Sequence, residues 1–139
     1  MNNVATSQKC IPEPISYTIK VSDYANLSDY RGIDLNFSQS LSNLTIIQFV
    51  QRTYNETYAQ QHQSFSNQLI NMTYIETSTQ IIYIWYSLSG MHIANETFPH
   101  FVEAHFYSKN VSIRDRSSDT WEIWFQTVCG DLQNISGTF

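Results

Sequence analysis

Charge is scarce in this chain. Lys, Arg, Asp and Glu make up 14% of its 139 residues, against about 25% in an average domain. Seven Lys+Arg stand against twelve Asp+Glu, a net charge of −5, so no basic surface exists to neutralise phosphates or anionic lipids, and nucleic acid is excluded as a partner. Four glycines leave little material for a phosphate cradle, and no phosphate loop, dinucleotide fingerprint, Gly-x-Ser-x-Gly elbow or Cys-x-x-Cys occurs. No cofactor is expected. No run approaches 18 apolar residues, the least a membrane span needs, so no transmembrane segment is expected in this fragment. The opening Met1 to Cys10 also lacks the apolar stretch of a secretory signal. The chain therefore reads as a mature or excised fragment with a start residue added.

What is present is apolar bulk and neutral polarity. Hydrophobic residues reach 42% and aromatics 14%, enough to build a core and too apolar for a disordered segment. The length suits one domain, residues 1–139, with a core over about 10–129 and polar tails at 1–9 and 130–139. Ser, Thr, Asn and Gln number 51, so solubility rests on neutral groups. Eight of the eleven asparagines, Asn26, Asn36, Asn43, Asn55, Asn71, Asn95, Asn110 and Asn134, begin Asn-x-Ser/Thr triplets without proline. Chance would place about two there, given the frequency of Ser and Thr. Such a chain is expected to pass through a glycosylating secretory route, become extracellular, and wrap itself in neutral, hydrated N-linked sugars. In that oxidising compartment the two cysteines, Cys10 and Cys129, are expected to pair.

Residues 15–22 alternate apolar and polar, with Ile15, Tyr17, Ile19 and Val21 on one face, and read as a strand. Residues 23–42 read as a loop. Leu44, Ile47, Val50, Tyr54 and Tyr58 recur every three or four residues and predict a helix, although Thr45, Ile46, Ile47 and Val50 are β-branched and keep a strand in competition. The polar stretch 60–68 ends that element. Two β-rich runs, 69–75 and 80–88, predict a hairpin whose first strand is an edge and whose second, apolar on both faces, is central. Phe98, Phe101, Val102, His105 and Phe106 predict a short helix capped at Thr97. Residues 120–128 read as a last strand with Trp121, Ile123 and Phe125 on one face.

Strand, helix, strand, strand, helix, strand is the order of an α+β, ferredoxin-like antiparallel sheet with two helices on one face; the alternative is an all-β sandwich. In the ferredoxin-like topology the start of the first strand lies beside the end of the last, which brings Cys10 to Cys129. An extracellular, sugar-rich chain with this order resembles the SEA domain (sperm protein, enterokinase, agrin) over roughly Pro14 to Val128. Many members of that family cleave themselves at a Gly-Ser bond before the third strand. Here Ser78 matches the serine but Thr77 stands for the glycine, so self-cleavage is not carried over, and a disulfide joining the two ends is a departure from the family.

Metal chemistry finds no support in the spacing. His100 and His105 diverge on a helix, Glu103 between them does not complete a zinc-protease pattern, and His62 and His92 sit in polar loops. Asp115, Asp119 and Glu122 read as solvated charges, so no catalytic residue and no enzyme activity are expected. The residues best suited to binding are Tyr83, Trp85, Trp121 and Trp124, because amphipathic aromatics dominate interfaces. Of the central strand's two faces, Ile82, Ile84 and Tyr86 suit the helices, which leaves Tyr83 and Trp85 on the open side. The leading expectation is a non-enzymatic module that holds a protein partner or self-associates. The alternatives are a carrier of a small apolar ligand and a subunit of a glycan-coated filament joined through its polar tails. At least five of the eight sequons should carry sugar after secretion from a eukaryotic host. Intact mass before and after amidase treatment checks this; an unchanged mass removes the extracellular reading.

Overall fold

Thr45, Ile46, Ile47 and Val50 crowd a helical turn but suit a pleated surface. In a computed structural model of the chain, which describes residues 10–22, 28–95, 99–108 and 118–139, they lie in an eleven-residue strand. The described residues form nine strands and no helix: β1 Ser16–Ser22, β2 Ser28–Asn36, β3 Leu41–Gln51, β4 Thr57–Gln63, β5 Ile70–Glu76, β6 Gln80–Ser87, β7 His100–Tyr107, β8 Thr120–Thr127 and β9 Gln133–Thr138. They make a four-stranded sheet, ordered β1-β2-β7-β4, and a five-stranded sheet, ordered β5-β6-β3-β8-β9. Every pairing is antiparallel.

This overturns the ferredoxin-like expectation and removes the element order on which the SEA resemblance rests. The helix expected at residues 44–58 is β3, a tight turn and the start of β4. Within β3, Leu44, Ile46, Gln48 and Val50 are buried while Asn43, Thr45, Ile47 and Phe49 face outward. Because both faces of this central strand carry apolar residues, its period of two is masked, and a three-four spacing can be picked out of it. The second expected helix is β7, whose His100, Val102, Ala104 and Phe106 point inward; Thr97 and Phe98 lie outside the described residues. The stretch read as a loop contains β2, which hides its alternation by burying Asp29 and Arg31 beside Ile33 and Leu35. The stretch read as a polar break contains β4. The first strand, the hairpin of β5 and β6, and the last expected strand, β8, stand where the sequence places them.

The expected tail at 130–139 is mostly β9, paired along β8. Gly137 makes this possible, since a Cβ there would stand 2.7 Å from Trp121 Cζ2, and the indole Nε1 donates to Thr138 O at 3.3 Å. Cys10 and Cys129 form a disulfide with a Cα separation of 5.0 Å. The expected pairing therefore stands, but the reason for it differs. Cys10 precedes β1 in one sheet and Cys129 follows β8 in the other, so the bond staples the two layers. Gly130 lies against Pro12 too closely for any side chain.

The inner faces of both sheets meet in one cluster that includes Ile33, Leu35, Leu44, Ile46, Tyr83, Trp85, Phe106, Trp121 and Phe125. One ion pair is set within it. Arg31 of β2 donates through Nε to Asp119 Oδ2 at 3.1 Å, its Nη2 is 3.1 Å from the same oxygen, and both side chains are fully buried. The guanidinium also lies 5.2 Å from the centre of the Phe106 ring, and Asp119 Oδ1 accepts from Gln51 N at 2.8 Å. Asp119→Ala should lower the unfolding free energy by about 3–5 kcal/mol, because it takes the carboxylate from a buried guanidinium and the acceptor from Gln51 N. Asp119→Asn, which still accepts from Gln51, should cost less. Urea midpoints at constant m-value check both.

Candidate functional site

The expected binding patch divides between core and surface. Tyr83 and Trp85 are 0% exposed and Trp121 is 2% exposed, whereas Trp124 is 39% exposed. Tyr83 Oη donates to His105 O at 2.7 Å, reaching from one sheet to the other. The inward set of β6 is thus Ile81, Tyr83 and Trp85, the reverse of the assignment made on aliphatic character. Two sheets packed face to face stand about 10 Å apart, and large aromatic rings fill that gap where no helix does. Tyr83, Trp85 and Trp121 therefore belong to the core between the sheets.

The outward set, Ile82, Ile84 and Tyr86, is half-buried and continues across the sheet in register. Ile75 of β5, Ile82 of β6 and Phe49 of β3 stand side by side in one row. Thr73, Ile84 and Ile47 form the next, closed by Glu122 of β8. Tyr86, Thr45 and Trp124 form the third. Ile75 is 49% exposed, and Trp124 Nε1 donates to Glu122 Oε2 at 3.1 Å. The result is a broad apolar face built on three adjacent strands of the five-stranded sheet. Its signal was present in the sequence as the two-sided apolar run of β6.

The outer face of the other sheet has the opposite character. Lys20 of β1 pairs with Asp34 of β2 at 2.6 Å, and the hydrogen bond to Asp34, followed by its charge, raises the Lys20 pKa. His105 lies 3.0 Å from Glu103 Oε2, stacks on Tyr30 at 5.5 Å and meets His62 edge-on at 4.8 Å. His100, on the inner side of the same strand, stacks on Phe65 at 4.1 Å. An odd separation along a strand sends His100 and His105 to opposite faces. Where the two sheets approach, Tyr58 of β4 stacks on Tyr74 of β5 at 3.6 Å, and burial, then Tyr74, raises its pKa.

The other expected site residues are scattered. Asp119 is buried in its ion pair rather than solvated, Glu122 faces outward from β8, His92 is exposed, and Asp115 lies outside the described residues. Among the described residues no group of three or more His, Cys, Asp or Glu is placed to hold a metal ion. Six sequon asparagines, Asn36, Asn43, Asn55, Asn71, Asn95 and Asn134, are exposed, while Asn26 and Asn110 lie outside the described residues. Asn55 adopts a left-handed conformation, φ 54°, which asparagine tolerates in tight turns.

Core and surface aromatics should separate cleanly on truncation. Trp85→Ala should cost about 3–5 kcal/mol of stability, and Trp124→Ala much less; thermal or urea unfolding of the two variants checks this.

No family model and no curated protein matches the chain. Among solved structures it is similar to a cohesin module from a Clostridium perfringens ATCC13124 family 33 glycoside hydrolase, with a TM-score of 0.56 and 12% identity over 89% of this chain and 93% of that one. At that identity the likeness establishes the fold alone, a two-sheet β sandwich.

Proposed function

We propose that this chain is a non-enzymatic, secreted or cell-surface, N-glycosylated module that binds a protein partner, or a second copy of itself, through the outer face of its five-stranded sheet. One observation carries the reading: Phe49, Ile47, Ile75, Ile82 and Ile84 form a contiguous apolar face, with Glu122 the one charged residue among the described outward positions of β3, β6 and β8. A sandwich already closes its core between the sheets, so an apolar outer face contributes nothing to that core and marks a surface kept for contact. The extracellular part of the reading is supported by the disulfide, which persists in oxidising compartments, and by six exposed sequon asparagines. The cohesin likeness supports the same class, since that neighbour is a module of a larger protein.

The double variant Phe49→Ser, Ile82→Ser should weaken partner binding or self-association at least tenfold, a change of about 1.4 kcal/mol, with a cooperative thermal transition retained. His62→Ala, on the opposite sheet, should leave binding as it was. Sedimentation velocity reads self-association, and affinity capture with the natively glycosylated protein reads a partner. Equal affinity in the parent and the double variant removes this face from the reading.

A further inference from the structure

The apolar face changes character along the strands. Its first two rows, through Ile75, Ile82 and Phe49 and through Ile84 and Ile47, contain no sequon asparagine. The third runs Asn71, Tyr86, Thr45, Trp124, Asn134 across all five strands. Asn43 stands in the row beyond, opposite Gln126. Three of the eight sequons therefore meet at one end of one face, and two of them flank its aromatic residues directly. Each pairs across strands with an aromatic residue, Asn71 with Tyr86 and Asn134 with Trp124, at a Cβ spacing of about 4.5–5.5 Å.

The local geometry is closer still at Asn71, where Nδ2, the atom that would carry sugar, donates to Tyr86 Oη at 3.0 Å. Asn134 Nδ2 donates to Ile123 O at 3.4 Å, which holds this side chain back along β8, the strand of Trp124. The period of two along a strand places the hydroxyl residues of these triplets, Thr73 and Ser136, on the same solvent side as their asparagines. An N-acetylglucosamine ring presents a face of C–H bonds, weakly positive, and an aromatic ring presents a negative π face. A sugar attached beside Tyr86 or Trp124 can thus bury an apolar surface that the protein otherwise leaves in water.

We propose that N-linked sugars on Asn71 and Asn134 occupy this end of the sheet, their first rings lying on Tyr86 and Trp124, with the Asn43 sugar beyond them. The isoleucine and phenylalanine rows are then the bare part of the face, and they alone are open to a protein. This rests on the reading of the chain as a secretory glycoprotein. The donor is a lipid-diphosphate-linked oligosaccharide: Nδ2 bonds to the anomeric carbon, the bond from that carbon to the diphosphate oxygen breaks, Nδ2 gives up one proton, and the lipid diphosphate leaves. One N–H remains on Nδ2, so the Asn71 side chain keeps a donor after the transfer.

The test uses the full chain secreted from a eukaryotic host. Glycopeptide mapping of all eight sequons comes first, followed by thermal unfolding of the parent, Asn134→Gln, Trp124→Ala and the double variant. Asn134→Gln should lower Tm by about 2–5 °C in the parent and leave it unchanged in the Trp124→Ala background. Asn71→Gln with Tyr86→Ala should behave likewise, and trimming each chain to its first sugar should preserve Tm. Equal losses in both backgrounds would show that the sugars do not rest on the rings and overturn the inference. Sugar found at other sequons but absent from Asn71 and Asn134 also overturns it while leaving the secretory reading intact. Sugar at none of the eight sites removes both.

Discussion

The two sheets are held to a common position by a buried ion pair, Arg31 with Asp119, where desolvation makes charge most costly. Arg31 belongs to β2 and Asp119 immediately precedes β8, so the bond spans the layers. A guanidinium with no water around it needs its carboxylate, its backbone acceptor at Tyr30 O, 3.1 Å away, and the ring face of Phe106 all at once. Phe106 comes to it through the register of β2 against β7, and a one-residue slip there would turn Arg31 toward solvent, away from Asp119, and Tyr30 into the core. The disulfide adds a second tie between the layers. Closing a loop with a sequence separation of 119 contributes up to about 5 kcal/mol in the chain-entropy model.

Once register is set, the chemistry of the two outer faces follows. The four-stranded sheet shows water Lys20 paired with Asp34, Glu103 beside His105, and His105 stacked on Tyr30. The five-stranded sheet shows isoleucine, phenylalanine and tryptophan, with asparagines of glycosylation triplets collected at one end. A chain with 14% charged residues cannot cover both faces with charge. The proposed function depends on that division, because the rows of isoleucine and phenylalanine lie on the outer face of the five-stranded sheet.

Legibility in the sequence depended on whether a strand is polar on one side. The alternation at 15–22 and 120–128 is visible because these strands carry polar residues on their outer side, and the β5 and β6 hairpin is visible because a short turn separates two β-rich runs. Three strands hide their alternation for physical reasons. β3 is apolar on both sides, β2 buries an arginine and an aspartate, and β7 places Phe101 and Tyr107, 36% and 50% exposed, on its solvent face. Trp124 alone of the four expected binding aromatics is at the surface, because Tyr83 and Trp85 of β6 and Trp121 of β8 lie on the faces that turn toward the other sheet.

Composition and local pattern determined the scarcity of charge, the sequon density, the cysteine pair and the strands with one polar face, since each is a property of single residues or of neighbours along the chain. Tertiary structure decided the rest: which face of β6 turns inward, that Arg31 and Asp119 meet across 88 positions, and that Asn71, Tyr86, Trp124 and Asn134 share one row. These are relations between strands far apart in sequence. No local periodicity encodes them, because pairing register and layer assignment minimise the energy of the whole sandwich rather than of any one segment.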